Sequence, residues 1–147
     1  MQSWEHLTRQ ANKAYSNNAF SEAVDLNLLA LQQAERSFAE DFEEDPQSTL
    51  AAISVSFFNV AESYTALGDY ISANRQYQQA VNFLQVVIVL PNLITEQRDQ
   101  IMKTATHIRF EWDLFTQSYG RELSLQSKAL MKSPSYSIKD ARAVVHH

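Results

Sequence analysis

The chain of 147 residues contains no cysteine, only two glycines and only three prolines. Without cysteine, disulfides, thiolate metal sites and thiol catalysis are excluded together. So few glycines and prolines leave little material for turns, so the secondary-structure elements must be few and long. Long apolar runs are missing as well. The longest, Val86 to Leu90, is far too short to span a bilayer. The N-terminal MQSWEHLTRQ has no basic region followed by an apolar stretch, so no secretory signal is expected and a cytoplasmic location follows. There is no positive excess either, the formal net charge being -5. Generic nucleic-acid binding is disfavoured on that ground, because the acidic part of the chain would repel phosphate. Neither a glycine-rich phosphate loop nor a nucleophile motif occurs. The expectation is a protein that is not an enzyme, carries no cofactor and has no catalytic residue.

What is present favours helix. A hydrophobic fraction of 45% and an aromatic fraction of 11% belong to a folded chain rather than a disordered one. Alanine, leucine, glutamine and glutamate are abundant, and the length suits one domain with one core. The charge is unevenly spread. Residues 1–50 hold three bases against nine acids, and residues 101–147 hold seven bases against four acids. A chain polarised in this way can fold back on itself, pair head to tail with a copy, or meet a charged partner.

The most patterned stretch is residues 57–80, FFNVAESYTALGDYISANRQYQQA. Phe57, Val60, Ala61 and Tyr64 recur on one helix face, Leu67-Gly68-Asp69-Tyr70 reads as a turn, and Ala73, Tyr77 and Ala80 mark the stripe of a second helix. Small Ala61 and Ala73 suit a close helix crossing, and the rings of Tyr64, Tyr70 and Tyr77 would fill the space beside it. Gly68 permits the left-handed conformation that ends the first helix. This stretch, about a sixth of the chain, resembles a tetratricopeptide repeat. The resemblance implies a protein- or peptide-binding module of stacked antiparallel helical hairpins in a right-handed array. A weaker copy precedes it, with Leu7, Ala11, Phe20 and Ala23 standing where Phe57, Ala61, Tyr70 and Ala73 stand. The offset is about 50 residues, against about 34 in the family, so the intervening helices should be longer.

The whole is expected to be all-α, with about six helices in a single domain over residues 1–132. The first helix spans about 3–16, Asn17-Asn18-Ala19 makes a turn, and a second helix follows from about Phe20 to Phe38. The acidic run Glu40 to Asp45 should stop that helix, and it reads as a solvated loop or a dock for a basic partner. Asp45-Pro46 starts the third helix, Asp as cap and Pro in the first turn, and this helix ends near Ala66. The fourth is expected over 70–89, stopped by Pro91. These elements form repeats at about 3–38 and 53–89. A helical cap at about 95–131 would comprise a fifth helix stopped by Gly120 and a short sixth over 122–131. The tail 133–147 shows no periodicity and is expected to be flexible.

The resemblance implies that a partner lies along the first helix of each hairpin. Asn12, Asn59, Glu62 and Lys103 are the polar groove contacts it suggests. The paired asparagines fit the pattern by which some family members hold a terminal carboxylate. The cations of that pattern are missing, since Thr8 and Val55 stand there and only Lys103, His107 and Arg109 could substitute. The apolar segment with Phe83, Val86, Val87 and Leu90 should be covered by the fifth helix, or else form a homodimer face. His107 and Glu111, one turn apart with Asp113 nearby, make half a metal site, so no metal is expected. His6 receives no role, and Trp4 is expected in the core or at its end. The function expected is an adaptor, chaperone or regulator that binds a protein or peptide. A self-assembling structural subunit and a secretion-type chaperone are the alternatives.

Overall fold

A computed structural model describes residues 3–132. It is all-α, with α1 Trp4–Ser16, α2 Phe20–Asp41, α3 Pro46–Ala66, α4 Tyr70–Ile88 and α5 Thr95–Met131. The expected tail at 133–147 lies outside the described residues.

Local chemistry accounts for most of the boundaries. Ser3 and Asp45 accept from the backbone N–H of His6 and Ser48, both at 3.2 Å, and Asp69 accepts from that of Ser72 at 3.1 Å. These side chains satisfy amides that a helix start leaves without partners. Pro46 occupies the first turn of α3, where its missing N–H costs nothing. Both early turns close in the same way. Gly68 takes φ +77, the Asp69 N–H bonds to the Tyr64 carbonyl, and the Gly68 N–H bonds to that of Thr65. At the same offset Asn18 takes φ +60, Ala19 bonds to Ala14, and Asn18 bonds to Tyr15. This is a Schellman closure with the left-handed position filled by Gly in one turn and Asn in the other.

The expected break at Gly120 does not occur. The fifth and sixth helices are one helix, so the described residues hold five helices and not six. A lone glycine costs a helix interior only about 1 kcal/mol relative to alanine, which tertiary contacts can offset. Those contacts are present: Tyr70 stacks on Tyr119 at 5.2 Å, and the Gln126 amide bonds to the α3–α4 turn.

Each helix packs on its chain neighbours, and α3 also packs on α5. The crossings use small residues, with Ala11, Ala23, Ala61 and Ala73 fully buried. One core runs from Leu31, Phe38 and Phe42 through Leu50, Ile53, Phe57 and Val60 to Leu84, Ile101 and Ile108. Phe83 joins it, edge-on to Phe38 at 5.1 Å. Trp4 packs against the core and donates its indole N–H to Ser56 Oγ at 2.7 Å. Asn27 is buried between α2 and α3, where Nδ2 donates to Ser63 Oγ at 2.9 Å.

The apolar run after Gln85 divides. Val87 is buried, whereas Val86 and Val89 are 65% and 76% exposed and Leu90 is also exposed. The expected cover is therefore partial: Val87 is buried and Ile88 packs half-buried against the core, whereas Val86, Val89 and Leu90 stay open. Gln97 and Ile101 near the start of α5 are buried, and Gln97 shares one cleft with Val86, Val87 and Leu90.

Candidate functional site

Helices α3 and α5 run in the same direction and leave a groove between them. At one end Gln47, Leu50, Ala51, Ser54 and Val55 face Gln100, Lys103, Thr104 and His107 across a cleft of about 560 Å³. Farther along, Glu62 and Thr65 face Glu111, Leu114, Ser118 and Tyr119 across a second cleft of about 360 Å³. Phe58 lines both, so the two clefts adjoin along the α3–α5 groove. From Gln47 to Thr65 it follows α3 for about 27 Å at the helical rise per residue.

The floor is aromatic. Phe58 lies 6.3 Å from Tyr77 and edge-on to His107 at 5.3 Å. Tyr77 in turn meets Phe115 at 5.2 Å and stacks toward Trp112 at 6.5 Å, and Phe115 meets Tyr119 at 5.6 Å. The indole N–H of Trp112 donates to Asn74 Oδ1 at 2.8 Å, which fixes that ring behind Tyr77. These rings come from three helices, and their spacing in sequence carries no sign of the grouping.

The ends of the groove differ in charge. Lys103 stands at the end near the start of α3, while Glu62 and Glu111 stand at the other. Burial, then the charges of Glu111 and Glu62, push the Tyr77 hydroxyl up to about 12. Tyr15 on α1 is raised as well, by burial first and then by the charge of Glu62 and a hydrogen bond to it. That hydrogen bond brings Tyr15 of α1 to the border of this end. His107 Nε2 lies 3.6 Å from Glu111 Oε1, an ion pair only when the imidazole is protonated. At the Lys103 end, Gln100 Oε1 is buried without a hydrogen-bond partner.

Of the four contacts expected from the sequence, Glu62 and Lys103 line this groove and Asn12 and Asn59 do not. Asn12 is exposed on α1. Asn59 is half-buried, and its backbone carbonyl accepts from Ser63 Oγ at 2.8 Å and from Asn27 Nδ2 at 3.4 Å. Arg109 and Asp113 are exposed and lie outside the lining. Sequence reasoning missed Phe58, Tyr77, Phe115, Tyr119 and Gln100. Tyr77, expected from the sequence to pack between helices, does so against Phe58, Trp112 and Phe115 and also lines the groove.

A second concave surface lies at the opposite side of the bundle, where the ends of α2 and α4 meet the start of α5. Phe38, Phe42, Phe83, Val86, Leu90, Leu93 and Ile94 line a cleft of about 780 Å³ there, with Glu35, Glu40 and Glu43 also in its wall. Partial withdrawal from water raises the Glu35 carboxyl above its ordinary range.

A family model described as "Protein of unknown function (DUF2753)" matches residues 2–137, and the chain belongs to that family. No curated protein and no solved structure matches it.

Proposed function

We propose that this DUF2753 protein is a non-enzymatic binding module that holds an extended peptide segment of a partner protein between α3 and α5. The observation that carries the reading is the groove itself: parallel helices, an aromatic floor, and charges of opposite sign at its two ends. About eight extended residues would fill about 27 Å. Side chains of such a segment would lie on Phe58, Tyr77 and Phe115, and the buried acceptor of Gln100 would take one of its backbone N–H groups. A basic side chain suits the Glu62–Glu111 end, where Tyr77 adds a ring face, and an acidic one suits Lys103. In this reading α1–α2 and α3–α4 are tetratricopeptide-like hairpins of a right-handed array. Helix α5 then stands where the first helix of a third hairpin would, and the role is that of a cytoplasmic adaptor, chaperone or regulator.

Trp112, seated behind Tyr77, provides a readout. An arrayed peptide library is probed with the protein, and the peptides that bind are titrated against it by tryptophan fluorescence. Binding should be weakened about tenfold or more by Glu62→Gln with Glu111→Gln for peptides carrying a basic residue, and by Lys103→Gln for those carrying an acidic one. Peptides bound with the same affinity by all these variants would sink the reading, as would a library in which nothing binds.

A further inference from the structure

We infer that copies of this chain assemble head to tail, the cleft at the α2–α4 end of one copy receiving the C-terminal end of α5 from the next. This contact is separate from the α3–α5 groove and does not depend on the peptide-binding reading.

The cleft is apolar inside and acidic at its edge. Val86, Leu90 and Ile94 are open to solvent beside the half-buried ring of Phe83. Glu35, Glu40 and Glu43 lie in the wall, and among the described residues no basic one does. Exposed apolar surface of this kind calls for cover, and the rim selects a cover that is cationic.

The other end of the molecule presents that chemistry. On α5, Arg121, Leu125, Lys128 and Lys132 recur every three or four residues, which places them on one stripe. All four are exposed, Leu125 at 58%, and Met131 beside Lys128 is 54% exposed. Gln126 lies about 100° around the helix from Leu125 and takes the side that docks on the α3–α4 turn, so the stripe faces away from the bundle. Three bases with apolar side chains among them thus complement three acids around an apolar cleft.

One copy cannot satisfy both surfaces by itself. The cleft includes Ile94 and Gln97 at the start of α5, and the stripe lies at its end. A helix of 37 residues separates its ends by about 55 Å. Two different surfaces in contact make a heterologous interface, which grows into an open chain or closes as a ring. The acid–base component makes the assembly weaken as salt rises.

Sedimentation velocity on the full chain, over a concentration series at low and at high salt, tests this. Association should grow with concentration at low salt and diminish at high salt. Val86→Glu blocks the cleft, and Leu125→Glu with Lys128→Glu blocks the stripe. All three positions are exposed, and circular dichroism verifies that the variants keep their helix. Each variant alone should be monomeric. Mixed in equal amounts they should form a dimer and nothing larger, because each copy retains one working half. A wild type that stays monomeric throughout overturns the inference. So does either variant associating alone, or a mixture that fails to pair, the result expected if the interface were symmetric or the cleft took a different protein.

Discussion

The side-chain amide of Gln126 lies across the turn that contains Gly68. Its Nε2 donates to the Gly68 carbonyl, and its Oε1 accepts from the Tyr70 N–H at 2.9 Å. The end of α5 is thereby fixed to the start of α4 by residues more than fifty positions apart. One of the amides that begins α4 gains a partner. Together with the Tyr70–Tyr119 stack, this contact keeps α5 on the bundle beyond Gly120.

Gln126→Ala removes both bonds. A loss of about 1–2 kcal/mol is expected in urea unfolding, since a half-buried carbonyl and a helix-start amide each lose their protein partner. Hydrogen exchange should quicken over residues 119–131 and stay unchanged in α1 and α2. Unaltered protection in that half of α5 would show that the clamp contributes nothing.

The two glycines should respond to alanine with opposite signs. At Gly120 a Cβ would meet only Thr116 Cγ2 at 3.7 Å, an ordinary contact, so Gly120→Ala should stabilise by about 0.5–1 kcal/mol. At Gly68 there is space for a Cβ but φ is +77, so Gly68→Ala should destabilise by about 1–2 kcal/mol. Thermal unfolding of the two variants compares them directly.

The internal repeat exposes a missing cap. Asp69 caps α4 through the Ser72 N–H, whereas Ala19, at the same offset before α2, has no side-chain bond to give. The two residues have similar backbone angles, φ -94 ψ 79 and φ -87 ψ 67. Ala19→Asp should therefore gain about 1 kcal/mol, and Asp69→Ala should lose about as much. A melting temperature lowered by Ala19→Asp would show that the turns are not equivalent.

Tyr77 makes stability depend on alkaline pH. Its hydroxyl ionises near 10 in the unfolded chain and at about 12 in the fold. Because the folded value is raised, its contribution is fully present below pH of about 10 and is lost as pH rises toward 12. The urea midpoint should fall over that window. Tyr77→Phe should make the fall shallower, with the residual slope coming from Tyr15 and Tyr64, which are also raised.

Much of this architecture was legible because its causes are local. The turns at Asn17-Asn18-Ala19 and Leu67-Gly68-Asp69, the start at Asp45-Pro46 and the small residues at the crossings are each set by a few neighbouring residues. Those signals determined an all-α chain of long helices, whereas Glu62 and Lys103 were expected as groove contacts only from the resemblance to a tetratricopeptide repeat. The tertiary structure alone decided that α5 continues through Gly120, since the opposing force comes from Tyr70 and the Gly68 turn. It alone divided the apolar run between buried Val87 and exposed Val86 and Val89, a helix with apolar residues on every side giving no preference until a neighbour covers one. It alone gathered Phe58, Tyr77, Phe115 and Tyr119 into one floor. Hydrogen bonds and backbone preferences act over a turn or two of chain, but the choice of which faces meet depends on contacts between residues dozens of positions apart.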